Sequence, residues 1–144
     1  MTPRTVQRLD DKFASMPGLV AETVPTEEEI DAAEQQVGQR FSPQYRDFVL
    51  RYGGAMVGSL PVFGLRTAEV MGDDDSVIAV TAHFRTQRWP GSESWAVISV
   101  DLAGNPIGLA ADGSVWISDH DAGEILLIAP SFEAFVLGVL DGAI

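Results

Sequence analysis

The residues best suited to chemistry in this sequence are its two histidines, His83 and His120, and the acids beside them. Asp119 and Asp121 flank His120, and an imidazole between two carboxylates offers ligands for a metal ion. A zinc or iron site needs three or four converging ligands, and no second histidine lies near His120 in the sequence. The alternative is a turn at a strand end, in which the carboxylates accept backbone N–H groups. The ligand count favours the turn and predicts no metal.

Other catalytic patterns are missing from the sequence. It contains no Gly-x-Ser-x-Gly elbow, no P-loop and no dinucleotide-binding glycine pattern. It has no cysteine, which excludes thiolate nucleophiles and disulfides. Its 21 Asp and Glu residues form many accidental pairs, and nothing selects one pair for hydrolysis. We therefore predict that the protein is not an enzyme, has no catalytic residues and needs no cofactor; a metal-dependent hydrolase is the least favoured alternative.

Charge restricts the partners of the chain. Its 144 residues include 9 Lys and Arg against 21 Asp and Glu, which gives a net charge of −12. Such a charge repels nucleic acid and anionic membranes and speeds the encounter with a basic protein. The alternative is that the charge only keeps the protein soluble. We expect a protein partner, with a basic domain favoured, no nucleic acid and no membrane.

The length and the ends of the sequence favour one domain over residues 1–144 in the cytoplasm. No apolar run approaches the roughly 20 residues that span a bilayer. The first residues lack the apolar core of a signal peptide. The absence of cysteine suits a reducing compartment.

Acidic side chains are the first candidates for partner binding. Asp73, Asp74 and Asp75 form the densest run of charge, and Asp119 and Asp121 form a second pair. The run fits either a solvated loop before a helix or a patch that meets a basic cleft on another protein.

Two tryptophans are the second group of candidates. In an alternating strand, Trp116 shares a face with Ser114 and Ser118, so it is either an exposed contact for a partner or packed beneath a loop. Trp89 precedes a Pro-Gly pair in a predicted loop and leaves the same two alternatives open.

Helices are predicted in the N-terminal third. A weak amphipathic segment covers residues 5–16. Thr26 and Glu29 have the spacing of a capping box, and Ser42 followed by proline is typical of a helix start. The apolar residues of this third helix follow at i, i+3, i+4 and i+7: Tyr45, Phe48, Val49 and Tyr52.

The C-terminal half predicts a meander of four strands and a last helix. Asp112 and Gly113 form a two-residue hairpin signal, and Ser131 is a good N-cap for the helix. The strands are predicted at residues 95–100, 106–110, 115–119 and 125–129.

The middle of the sequence gives weaker signals for secondary structure. Residues 59–63 suit a short strand. Residues 77–88 suit a helix with Val77, Val80 and Phe84 on its inner face, but their β-branched content also permits a strand. Helices followed by antiparallel strands and a closing helix indicate an α+β fold, with a largely antiparallel sheet of about four to six strands.

These elements together resemble the SUKH superfamily, which includes a yeast cell-wall assembly regulator and many bacterial immunity proteins. The resemblance covers residues 25–140 and leaves residues 1–24 as an N-terminal helical extension. Its motifs stand in two separated groups: TEEEI at 26–30, FSPQY at 41–45 and YGG at 52–54, then WAVI at 95–98, GNPI at 104–107, DHD at 119–121 and APSFEAF at 129–135.

The resemblance implies a curved sheet packed by helices and no catalytic activity. It implies for a bacterial member that the chain neutralises a toxin, often a nuclease or deaminase, by binding it. The leading hypothesis from the sequence is therefore an immunity protein. The alternative is a regulatory or scaffold module, or a sensor of a small ligand, without a toxin partner. A monomer and a homodimer are both compatible with the sequence.

Overall fold

Five α-helices and two antiparallel sheets make up the computed structural model, which describes residues 1–144. The predicted α+β class is confirmed. The helices are α1 (Pro3–Ser15), α2 (Glu27–Val37), α3 (Pro43–Tyr52), α4 (Val77–Thr86) and α5 (Phe132–Leu140). The strands are β1 (Ala55–Val57), β2 (Leu60–Val62), β3 (Trp95–Val100), β4 (Pro106–Ala110), β5 (Val115–Asp119) and β6 (Glu124–Ala129).

The predicted helix caps form as the sequence indicates. Thr26 accepts a hydrogen bond from the backbone N–H of Glu29 at 3.2 Å, and the Glu29 carboxylate accepts the N–H of Thr26 at 3.2 Å. Ser42 and Ser131 accept backbone N–H groups at the starts of α3 and α5. Each cap satisfies a donor that the first helical turn leaves unpaired.

The undecided middle segment is the helix α4. Val77 and Phe84 are buried as predicted, but Thr81 and not Val80 completes the buried face. The reason is a hydrogen bond, because Thr81 Oγ accepts the N–H of Val97 in β3 at 2.9 Å. The buried hydroxyl of Thr81 satisfies a strand N–H that would otherwise lack an acceptor. Apolar periodicity alone cannot predict such a contact.

The larger sheet has the strand order β3-β4-β5-β6. Its inner face carries a row of buried residues in register, Ala96, Leu109, Val115 and Ala129. These residues share one core with aromatic side chains of α3 and α5, including Tyr45, Phe48 and Phe132. The Tyr45 hydroxyl donates to the carbonyl of Phe63 at 2.5 Å, and burial raises the pKa of this phenol above its usual range.

The outer face of the sheet is defined by the adjacent cross-strand row Val97, Gly108, Trp116 and Leu127. The indole of Trp95 lies directly on Gly108, where an added Cβ would come within 2.3 Å of the ring. The helices of the core therefore cover one face of the sheet, and aromatic side chains lie on the other. None of the five α-helices combines the length and the apolar character needed to cross a bilayer.

The capping box of α2 predicts a pH effect on stability. Arg66 donates to the Glu29 carboxylate at 2.8 Å, and this hydrogen bond, with that from Thr26, holds the pKa of Glu29 below its usual value of 4.5. Replacing Glu29 with Gln keeps an acceptor for Thr26 but removes the charge next to Arg66. We expect a lower urea midpoint for Glu29→Gln at neutral pH.

The difference between the wild type and Glu29→Gln should shrink as the pH falls below 4.5 and through the lowered pKa, because the carboxyl of the folded protein then becomes neutral. Urea unfolding followed by circular dichroism at a series of pH values measures this. A difference that stays constant down to the acid limit would contradict the assignment.

Candidate protein-binding surface

Four rings form a continuous series of edge-to-face contacts beside the outer face, and we call it the aromatic chain: His83, Phe84, Trp89 and His120. The ring centroids lie 5.2 Å apart for His83 and Phe84, 5.4 Å for Phe84 and Trp89, and 5.5 Å for Trp89 and His120. Such contacts are a preferred geometry for aromatic pairs. Trp89 thereby connects α4, at one edge of the sheet, with the end of β5.

The loop that carries Trp89 is held by hydrogen bonds. The backbone N–H of Trp89 donates to the carbonyl of Phe84 at 3.2 Å, and the backbone carbonyl of Trp89 accepts the hydroxyl of Ser92 at 2.7 Å. Arg88 before it has φ of 57°, the one non-glycine residue with a positive φ. A side chain in this left-handed region is strained, and strain of this kind concentrates at functional sites.

Arg85 ties the same loop to the rest of the protein. Its guanidinium donates to the carbonyls of Val37 at 2.5 Å, Ser92 at 2.9 Å and Trp95 at 2.9 Å. Burial lowers the pKa of this guanidinium. One side chain therefore connects α2, the loop after α4 and the start of β3, and it fixes the position from which Trp89 extends.

His120 at the other end of the aromatic chain is fixed by a turn. Its backbone N–H and its Nδ1 both face the Asn105 side-chain oxygen, and the amide of Asn105 donates to Asp101 at 3.0 Å. Its Nε2 lies 3.2 Å from the carboxylate of Asp121. The Asp119 carboxylate accepts the N–H groups of Asp121 and Ala122 at 3.0 and 3.2 Å, as the predicted strand-end turn requires. No group of three or more His, Asp or Glu side chains has an arrangement that could hold a metal ion.

The acidic run divides between two grooves. Asp74 and Asp75 line a groove of about 480 Å³ beside α4, and Asp75 also accepts the N–H of Gly72 at 2.9 Å. Asp73 lines a separate polar groove near the N-terminal segment. The other residues of the α4 groove are Phe63, Ala79, Val80, His83, Phe84 and Val100.

The structure thus brings together four of the residues predicted for partner binding. Asp74 and Asp75 border the groove that contains His83 and Phe84, while Trp89 and Asp121 adjoin the two sides of His120. Asp119 shapes the same turn through its backbone contacts, and Asp73 lies outside the cluster.

The burial of Trp116 is intermediate between the two alternatives that the sequence leaves open, an exposed contact and a ring packed beneath a loop. It is half-buried, and its indole N–H donates to the hydroxyl of Ser114 at 2.8 Å. It lies between Gly108 and Leu127 on the outer face, so part of the ring remains available to a partner.

The exposed apolar residues of β6 were not predicted as part of any site. Ile125, Leu126 and Leu127 are 43%, 42% and 55% exposed. A continuous apolar run usually indicates a buried strand, and its position at the sheet edge is not readable from the sequence.

The comparison with protein families identifies the class. A model of the SMI1 / KNR4 family (SUKH-1) matches residues 24–138, and the chain belongs to that family. The match agrees with the range predicted from the sequence motifs and begins after α1. A comparison with curated proteins finds no match. Family membership supports a domain that acts through interaction with other proteins.

The three hydrogen bonds of Arg85 predict a large effect on stability. Replacing Arg85 with Ala removes a donor from three carbonyls, of which only that of Ser92 keeps a second one, the N–H of Trp95. We expect a loss of about 2–3 kcal/mol in the free energy of unfolding. The tryptophan fluorescence should also change, because Trp89 loses its support. Urea unfolding and emission spectra measure both effects.

Arg8→Ala is the matched control, since Arg8 makes one exposed ion pair with Asp141 at 2.8 Å. We expect it to cost less than about 1 kcal/mol. Equal destabilisation by the two variants would show that Arg85 does not hold the loop.

Proposed function

We propose that this protein is an immunity-type binding domain that neutralises a basic toxin, of the nuclease or deaminase kind, by covering its active site in the bacterial cytoplasm. The observation that carries the proposal is the aromatic chain next to acidic side chains. Trp89 contacts both Phe84 and His120, and the acids Asp74, Asp75 and Asp121 lie around these rings.

The arrangement has the composition of a protein interface. Interfaces concentrate aromatic residues at their centre and place polar residues at the rim. Trp89 is held by a rigid loop, so binding would cost little conformational entropy at this residue. The net charge of −12 favours a basic partner and speeds the encounter with it.

Family membership supports the same conclusion from a different direction. Immunity proteins are part of the wider superfamily that the sequence motifs resemble, and the matched family covers residues 24–138. A nuclease or deaminase that acts on nucleic acid has a basic cleft, and carboxylates can take the place of the phosphates there.

A small-ligand sensor is the second candidate function. The α4 groove has a volume of about 480 Å³, and apolar side chains form most of its wall. This volume falls in the range of small-molecule pockets, roughly 300–1,000 Å³. A thermal shift with a metabolite library, abolished by Ala79→Trp in the groove wall, would favour the sensor over the immunity protein.

The partner is sought among the products of neighbouring genes. The tagged chain is co-expressed with each product and purified, and a basic protein of unrelated fold serves as the control for unspecific charge attraction. We expect one basic toxin domain to co-purify and to lose its activity in the complex. If every neighbour is acidic or none binds, the proposal fails.

Two variants test the surface itself in that complex. We expect Trp89→Ala to weaken binding at least tenfold, because a central aromatic residue commonly contributes about 2 kcal/mol or more. The double variant Asp74→Asn, Asp75→Asn should slow association mainly at low salt, because exposed charges are screened beyond about 10 Å at 0.1 M salt.

Asp11→Asn with Asp141→Asn is the control for the double variant. It removes the same charge from α1 and the end of α5, on the helical side of the protein. Surface plasmon resonance at two salt concentrations compares them. Equal slowing by both pairs would mean that total charge, and not this surface, guides the partner.

A further inference from the structure

The strand β6 forms an unpaired apolar edge of the larger sheet. It is last in the strand order, and β5 is its only strand partner. Three consecutive side chains are 43%, 42% and 55% exposed, and they are Ile125, Leu126 and Leu127. No charged residue occurs from 125 to 129. The edge thus offers unpaired backbone groups and apolar side chains together.

Proteins usually protect such an edge. The common devices are charged side chains, proline, bulges and short strands. In β6 the register shift opposite Val115 and Trp116 and the following Pro130 affect only the C-terminal end. The segment from Ile125 to Leu127 pairs regularly with β5 and has no such protection.

At the opposite edge of the same sheet, backbone groups of β3 have hydrogen-bond partners within the protein. Thr81 accepts the N–H of Val97, and the carbonyl of Ile98 accepts the N–H of Phe63 at 2.8 Å. The fold therefore satisfies the free edge of β3 internally and leaves that of β6 open.

The distribution of charge along β6 favours one orientation for a pair of copies. The acids Asp119, Asp121 and Glu124 all lie at its N-terminal end, and the rest of the strand is uncharged. In a parallel pair of two copies, these acids would meet. In an antiparallel pair, the acidic end of each copy faces the apolar end of the other, and a six-residue strand of roughly 20 Å separates the two acidic turns. That separation exceeds the screening length of about 8 Å at physiological salt.

We propose that β6 pairs with β6 of a second copy in an antiparallel, two-fold arrangement. The central apolar residues are self-complementary, since each copy offers the other the same uncharged run. The two sheets then become one sheet of eight strands, twice the four in each copy. The outer faces of both copies form one continuous surface. This inference is independent of the proposed toxin partner.

The contact is small, so the dimer is weak. A single strand pair buries less than the roughly 1,200–2,000 Å² of a stable interface. We expect the mass in sedimentation experiments to rise from 15.5 kDa towards twice that value between about 1 μM and about 1 mM protein.

Salt dependence separates this dimer from binding of a basic toxin. Each copy carries a charge of −12, so salt screens the repulsion between copies and should strengthen the dimer. Binding of a basic partner should weaken with salt. Because the two salt dependences have opposite signs, failure of the dimer proposal can be distinguished from failure of the toxin proposal.

Leu127→Glu tests the edge directly in the full chain. Two new carboxylates lie near the two-fold axis, and we expect at least a tenfold loss of association. Leu102→Glu is the matched control, because Leu102 is 86% exposed in the turn after β3 and the charge change is the same. Circular dichroism verifies that both variants fold, and Ile125→Glu serves as a second edge variant.

Three results would overturn the proposal. One is a wild-type protein that remains at 15.5 kDa at the highest concentration. Another is equal association of the wild type and both edge variants. The third is a strand of a different protein on β6 with no self-association, which would assign the edge to a foreign partner.

Discussion

The N–H of Val97 at the edge of β3 needs a hydrogen-bond acceptor, and the hydroxyl of Thr81 supplies it at 2.9 Å. This contact fixes α4 along the sheet edge and places Phe84 where it meets Trp89. Asp74 and Asp75, before α4, then border a groove beside the outer face. Most of the candidate surface depends on this position of α4, because the loop after it starts there.

The two faces of the larger sheet differ in what packs against them. The inner face and the helices α3 and α5 share one buried core, in which Tyr45 and Phe132 contact each other with centroids 5.3 Å apart. The outer face carries Trp95 and Trp116 and adjoins the aromatic chain. Hydrogen bonds from Arg85 hold the loop that carries Trp89, and Asn105 fixes the turn at His120, so these two rings are held in place in the free protein.

The sequence predicts the local elements well because their signals are local. The capping box at Thr26, the proline after Ser42 and the apolar spacing from Tyr45 to Tyr52 each depend on neighbouring residues. The structure of α4 could not be decided, since its β-branched residues suit a strand and the acceptor role of Thr81 is a tertiary contact. The candidate site likewise depends on tertiary contacts. Trp89 and His120 are far apart in the sequence, and only the fold reveals their contact.

The most direct test of the account is hydrogen–deuterium exchange on the full chain, alone and in complex with the proposed toxin partner. The account predicts slower exchange on binding in residues 83–89 and 116–121, with no change in α1. Slower exchange confined to α1 and α5, with none around Trp89 and His120, would contradict it, because the partner would then bind the helical side.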